Sequence, residues 1–208
     1  MFKNAFKISL RMCMEHAQRC IEKYSEMMGI SKDIPIKIGR IEDNFHTMPT
    51  SFTGGYVATC ETSNDSVDIK YVKFDIKTVM RMYVGKFNNL PAPLRMVAYH
   101  FAKKNLFDQI EKIIIHEFRH VQQFEFINNK NLAYSAYRYA YKEIEYGYDF
   151  LEIDAVQYSY AIMNGMAAKS IDEVFKSHWY EKNKSNYQQV MCDIYMSVVM
   201  KAALDSKD

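Results

Sequence analysis

The chain has 208 residues, of which 49% are hydrophobic, and its 27 basic and 25 acidic side chains leave a net charge of +2. A chain of this length and hydrophobicity can bury one good core, so we predict a single domain over residues 1–208. The two signs of charge are mixed along the chain, and this argues against the basic face that a nucleic-acid-binding protein needs. We therefore expect no nucleic-acid partner.

Cysteine usage and hydropathy bear on the compartment. The four cysteines form no CxxC pair, which is typical of free thiols in a reducing compartment. The first residues contain no apolar run of signal-peptide length, because Arg11 and Glu15 interrupt it. No segment approaches the ~20 apolar residues of a membrane span. We predict a cytoplasmic protein without a membrane partner.

The predicted elements begin with an amphipathic helix over residues 3–28, which Gly29 ends. Its inner stripe consists of residues at helical spacing: Phe6, Leu10, Cys13, Ala17, Ile21, Tyr24 and Met28. In residues 34–84, alternating segments separated by turn signals predict a small, mostly antiparallel sheet. All four prolines lie at or before Pro93, and the residues after it are predicted to be almost wholly helical. The fold class predicted is α+β.

Residues 116–120, His-Glu-Phe-Arg-His, form an HExxH motif. An α-helix turns about 100° per residue, so His116 and His120 share one face, about 6 Å apart along the axis, and can hold one metal ion. Zn²⁺ binds His nitrogens in a tetrahedral set and needs a third protein ligand, with water at the fourth position in catalytic sites. Glu117 is then placed to act as the general base that takes the proton of this water.

The residues around the motif predict a long buried helix. Apolar residues recur at helical spacing on both sides of it: Leu106, Ile110, Ile113, Ile114, Val121, Phe124 and Ile127. Two histidines and a glutamate are awkward choices inside such a helix unless something binds them. The competing interpretation is that His116 and His120 are ordinary residues on a half-exposed helix face.

The continuation of the motif narrows the class that the chain resembles. Metzincins continue as HExxHxxGxxH, but here Gln123 stands at the position of the Gly and Phe126 at that of the last His. The NExxSD continuation of thermolysin-like enzymes is also missing. Residues 151–155, Leu-Glu-Ile-Asp-Ala, resemble instead the ExDA signature of gluzincins. The resemblance implies a minimal zincin-like domain in which Glu152, on a second helix, completes the zinc site.

The helix that carries this signature is predicted to bury one apolar stripe, with Glu152 on a neighbouring face. The stripe consists of residues at helical spacing: Phe150, Ile153, Val156 and Tyr160. Glu143, Glu145 and His178 are rival third ligands. Asp154 or Asp149 is a candidate acceptor for the N–H of a ligand histidine, which would fix its tautomer.

Three further expectations concern the surroundings of the site. A zinc peptidase needs a donor for the oxyanion of the tetrahedral intermediate, and Tyr158 and Tyr148 are the candidates. Arg119 is expected to pair with an acid rather than to touch substrate. In the zincin layout an edge strand beside the metal helix pairs with an extended peptide, and residues 67–75 are the candidate for that edge. An inner strand or a simple hairpin is the alternative for these residues.

These expectations together predict a zinc metallopeptidase, a protease whose substrate is a protein or peptide. The predicted zinc ligands are His116, His120 and Glu152, and Glu117 is the predicted general base; hydrolysis of peptide bonds is what the family resemblance implies. One alternative is an interaction or inhibitor protein that keeps the zincin fold as a pseudoenzyme. Another is a regulatory sensor associated with nucleic acid. The intact Glu117 favours the enzyme, because a purely structural site has no use for a base.

Overall fold

A computed structural model describes four stretches of the chain: residues 6–41, 58–62, 69–129 and 150–175. They form, in chain order, α1 (Leu10–Met27), β1 (Ile36–Ile38), β2 (Ala58–Thr62), β3 (Ile69–Phe74), α2 (Ile76–Asn88), α3 (Ala92–Asn129), α4 (Phe150–Met163) and α5 (Ile171–Phe175). The arrangement is mostly helical with a small sheet, so the predicted α+β class is confirmed. None of the described helices combines the length and apolar composition needed to cross a bilayer.

Helix α1 ends where the sequence predicts and begins later. Gly29 follows the helix with a φ of +67°, a left-handed conformation that glycine adopts without strain. The predicted start at residue 3 is wrong, because Ser9 is the N-cap and its side chain accepts the backbone N–H of Met12. Phe6 and Leu10, the first two residues of the predicted stripe, are 41% and 36% exposed, whereas the remaining five are buried.

The sheet has three strands in the order β1-β3-β2. Strand β2 pairs antiparallel with β3, whereas β1 pairs parallel with it, so the sheet is mixed rather than mostly antiparallel. The expectation that residues 67–75 form a substrate-binding edge is wrong for the described part of that range, since β3 is the central strand. Both of its hydrogen-bonding sides are used within the protein. The alternative of an inner strand is confirmed.

Helix α2 occupies residues that the sequence assigned to the sheet region. Asp75 directly follows β3, and its carboxylate accepts hydrogen bonds from the backbone N–H and the hydroxyl of Thr78. This capping satisfies a free N–H at the start of the helix and stops the strand. Val79, Val84 and Phe87 then recur at helical spacing and are buried. The change from period two to a helical period therefore falls at Asp75.

Helix α3 is the central element. It has 38 residues and contacts α1, α2, α4, β2 and β3. Its fully buried side chains include Ile110, Ile114, Ile115 and Phe118, and burial of each such side chain contributes about 1.5–3 kcal/mol. Phe118 meets Phe74 of β3 edge to face, with 6.1 Å between ring centroids. The predicted long helix is confirmed over residues 92–129, and its buried residues, apart from Arg95, lie between Leu106 and Ile127 as the apolar spacing predicts.

A polar link joins α1 to α3. Glu111 of α3 accepts hydrogen bonds from the Tyr24 hydroxyl and from the Lys23 ammonium group. The pKa of Glu111 is lowered: burial alone would raise it, but the hydrogen bonds from Tyr24 and Lys23 outweigh that effect. The carboxylate of Glu111 is therefore held in its charged form beside the core.

Helix α4 packs on the C-terminal half of α3, but with a different face from the one predicted. Ile153, Val156 and Tyr160 are 39%, 46% and 58% exposed, so the predicted apolar stripe does not face the core. The buried face consists of smaller and polar residues: Leu151, Asp154, Ala155, Ser159 and Ala161. Hydrogen bonds from α3 to Leu151 and Asp154 accompany this orientation of α4, and in the predicted orientation the buried guanidinium of Arg119 would lose its carboxylate partner.

Candidate metal centre

His116 and His120 face each other across one turn of α3. Their Nε2 atoms lie 3.1 Å apart, and their ring planes are almost perpendicular, at 88°. Two zinc–nitrogen bonds of about 2.0–2.1 Å at a tetrahedral angle would hold the two nitrogens about 3.3 Å apart. Without a metal, the observed separation allows one ring to donate a hydrogen bond to the other. The two imidazoles thus have close to the separation that one shared zinc ion requires.

The second nitrogen of His120 contacts a glutamine of the same helix. His120 Nδ1 lies 2.7 Å from Gln123 Oε1. The amide nitrogen of Gln123 donates to the carbonyl oxygen of Leu151 at 2.9 Å and to Asp154 Oδ2 at 2.8 Å. The amide oxygen is therefore the end of the Gln123 side chain that faces the imidazole.

A buried ion pair lies next to this contact. Arg119 donates to Asp154 twice, from Nε at 2.7 Å and from Nη2 at 3.1 Å. The two side chains are only 2% and 9% exposed. The prediction that Arg119 pairs with an acid is confirmed. The prediction that Asp154 accepts the N–H of a ligand histidine is wrong, because this carboxylate accepts from Arg119 and Gln123 and is one hydrogen bond removed from His120.

Glu117 lies inside the same turn and is buried, with 9% of its surface exposed. It follows His116 directly and is about 60° around the helix from His120. Its position on the helix therefore lies next to the face that carries the two imidazoles, and its role as the general base stays a prediction.

Glu152 belongs to the first turn of α4, and its side chain lies outside the part of the chain that the structure describes. Its backbone is flanked by Leu151 and Asp154, which both accept hydrogen bonds from Gln123. Its helical position lies about 20° around α4 from Ser159, which is fully buried. The first turn of α4 is thereby held against the turn of α3 that carries His120.

Among the described side chains, no group of three or more His, Cys, Asp or Glu could hold a metal ion. The side chain of Glu152 is not among those described. The other predicted candidates also lie outside the described residues: Glu143, Glu145, Tyr148, Asp149 and His178. The choice of third ligand stays a prediction.

Tyr158 packs against the ion pair. Its ring centroid lies 4.1 Å from the guanidinium carbon of Arg119, a cation–π contact. Burial raises the pKa of its phenol, and Asp154 adds to this effect while Arg119 opposes it. The phenol therefore stays protonated at neutral pH and can donate a hydrogen bond. Its contact with Arg119 places Tyr158 beside the ion pair, and its role as the oxyanion donor stays a prediction.

Gln123 is the residue of this centre whose role the sequence did not reveal. In the sequence, Gln123 is distinguished only because it stands where the metzincin motif has a glycine. A usable signal was present, because a long polar side chain three residues after His120 sits among Val121, Phe124 and Ile127, which are all buried. A buried amide needs partners for both of its ends, and a histidine nitrogen within one turn is one of the few available.

No protein-family model, curated protein or solved structure matches the chain.

Proposed function

We propose that this protein is a zinc-dependent metallopeptidase with His116, His120 and Glu152 as metal ligands. The observation that carries the proposal is the 3.1 Å separation of the two histidine Nε2 atoms on a buried helix. The two rings bring the same nitrogen, Nε2, of each histidine to the separation that a shared zinc ion would need. Glu117 beside them supplies the base that a catalytic site needs.

The residues present fit a zinc ion. Neutral imidazole nitrogens and a carboxylate oxygen are the ligand set of catalytic zinc sites in hydrolases, and His120 has its Nε2 lone pair available through the contact of Nδ1 with Gln123. When bound, zinc supplies Lewis-acid chemistry: it lowers the pKa of a water molecule and polarises a peptide carbonyl.

The protein's own contribution to hydrolysis is proton transfer and orientation. The Glu117 carboxylate accepts a proton from the attacking water and returns it to the nitrogen of the leaving amine, as a positioned general acid–base residue does. The packing of α3 on its neighbouring helices and strands keeps this carboxylate and the two imidazoles in fixed relative positions. Tyr158 is the proposed donor to the oxyanion, and an extended protein or peptide is the proposed substrate class.

The test compares Glu117→Gln with the wild type for zinc content and for cleavage. Zinc should stay at about one ion per chain, because Glu117 is not among the three ligands. Cleavage of denatured protein mixtures, with new N-termini mapped by mass spectrometry, should fall roughly 100-fold or more. Glu125→Gln is the matched control, since it removes a half-buried carboxylate of α3 about 180° around the helix from His116.

Two results would contradict the proposal. Wild-type protein without stoichiometric zinc would remove the metal centre. Zinc retained in Glu117→Gln together with wild-type biological effect would favour the alternative, a protein that keeps the metal and acts by binding a partner.

A further inference from the structure

We infer that Gln123 is a positioning residue, which α4 holds in place and which keeps His120 in the Nδ1–H tautomer. Nε2, the metal-binding nitrogen, then carries its lone pair only when α4 is docked on α3. The part of this inference that concerns zinc rests on the proposed function. The part that concerns the tautomer does not, because it describes the protein before any metal binds.

The first step is the orientation of the Gln123 amide. This side chain is fully buried, and its nitrogen makes two hydrogen bonds, both to acceptors of α4: the Leu151 carbonyl oxygen and Asp154 Oδ2. A flipped amide would set its oxygen against these two acceptors and lose both bonds. Buried polar groups without partners are strongly disfavoured, so α4 determines which end of the amide faces His120.

The second step is the consequence for the imidazole. The amide oxygen of Gln123 only accepts, and it lies 2.7 Å from His120 Nδ1. A neutral imidazole carries one hydrogen, and this contact places it on Nδ1. Nε2 then has a lone pair, which is the form that coordinates a metal.

The third step is the anchoring of the acceptor itself. Asp154 Oδ2 accepts from both Gln123 and Arg119, and Asp154 Oδ1 accepts a second bond from Arg119. Both donors belong to one turn of α3, whereas Asp154 belongs to α4. The carboxylate therefore holds α4 in the position that Gln123 requires, and the ion pair is linked to His120 through the glutamine.

These three steps link assembly of the metal centre to helix docking. Leu151 and Asp154 flank Glu152, the proposed third ligand, in the first turn of α4. The same docking that brings the backbone of Glu152 to α3 also sets the tautomer of His120. A gluzincin-like site in which the two helices met without Gln123 would leave the tautomer free to change.

The direct test observes the imidazole in metal-free protein. Long-range ¹H–¹⁵N correlation spectra of ¹⁵N-histidine-labelled protein distinguish the two tautomers of neutral imidazole. Wild-type His120 should give the Nδ1–H pattern, and Gln123→Met should give the Nε2–H form or a mixture. A wild-type Nε2–H pattern, or an unchanged pattern in Gln123→Met, would overturn the inference.

The second test measures zinc affinity by competition with a chromogenic chelator, and the absorption spectrum of the Co²⁺-substituted protein. Gln123→Met should weaken zinc binding by about 10–100-fold and change the Co²⁺ spectrum. Gln122→Met is the matched control: it removes a neighbouring glutamine that donates to Met28 O at 2.8 Å and accepts from Arg119 at 3.1 Å, and neither bond involves His120. Zinc affinity in that control should stay within about threefold of wild type.

The two proposals fail in different ways. Wild-type protein that binds no zinc but has the Nδ1–H tautomer refutes the metallopeptidase and leaves the role of Gln123 standing. Wild-type protein that binds zinc, with affinity unchanged in Gln123→Met, refutes the coupling between Gln123 and the metal while the metal centre stands.

Discussion

Replacing Asp154 by alanine leaves Arg119 buried without its carboxylate. The Arg119 side chain is 2% exposed, so solvent cannot take over the lost interaction. Removing one partner of a buried ion pair typically costs 3–5 kcal/mol. Arg119 keeps bonds to the Gln122 side chain and to the Lys169 carbonyl oxygen, and this favours the lower end of that range. The lost acceptor of the Gln123 amide adds about 1 kcal/mol.

The expected loss of unfolding free energy in Asp154→Ala is therefore about 3–5 kcal/mol. For a chain of this size, such a loss lowers the melting temperature by roughly 6–20 °C. The measurement is urea denaturation of metal-free protein, followed by circular dichroism, with thermal melts alongside. Glu15→Ala is the control, because the Arg11–Glu15 pair has side chains that are 89% and 51% exposed, so solvent screens it and its loss should leave the melting temperature nearly unchanged.

A double mutant separates the ion pair from simple loss of packing. Arg119→Met with Asp154→Leu replaces both charges by apolar groups of similar volume and should recover at least about 2 kcal/mol relative to Asp154→Ala, because no unpaired charge is left. If Asp154→Ala loses less than about 1 kcal/mol, or if the double mutant is no more stable than the single one, the ion pair does not hold α4 on α3 and the reasoning is refuted.

Two further predictions concern metal and pH. Metal analysis should show that His116→Ala abolishes stoichiometric zinc binding and that Glu152→Ala weakens it strongly. Chelation should lower the melting temperature of the wild-type protein in thermal melts. An unchanged melt after verified zinc removal would contradict the site. The pKa of Glu111 is lower in the folded protein than in the unfolded chain, where it is about 4.5. Its bonds to Tyr24 and Lys23 therefore contribute stability above that pH, and this stability is lost as the pH falls through the folded-state pKa. Glu111→Gln should therefore flatten the pH dependence of the unfolding free energy below about pH 5 in urea titrations, and a slope equal to that of wild type would exclude this role.

Local rules determined much of the helical structure. The end of α1 at Gly29 and the course of α3 through the HExxH residues follow from glycine geometry and from apolar spacing, which act over a few residues. The common face of His116 and His120 follows from the helix period alone. The start of α1 at Leu10 is also a local feature, because Ser9 caps the helix. It was predicted too early because the apolar stripe extends back to Phe6, before the cap.

Long-range contacts decided the rest. The central position of β3 depends on β1 pairing in parallel from the opposite side, and no pattern within β3 specifies its neighbours. The buried face of α4 was predicted from Ile153, Val156 and Tyr160, yet the helix turns Leu151 and Asp154 inward. The contact with α3 outweighs the apolar pattern within α4, because Asp154 forms its ion pair with Arg119 of α3 in this orientation. The cost is smaller, because Ile153, Val156 and Tyr160 remain only partly exposed.

The sequence by itself thus determined that two histidines and a glutamate occupy one turn of a buried helix, since that follows from covalent spacing and helix geometry. Only the tertiary structure decided how that turn is completed: which nitrogen of His120 carries its hydrogen, which acid pairs with Arg119, and which turn of α4 lies beside Gln123. These features depend on groups 28 to 35 residues apart along the chain, whose meeting is set by the packing of two helices.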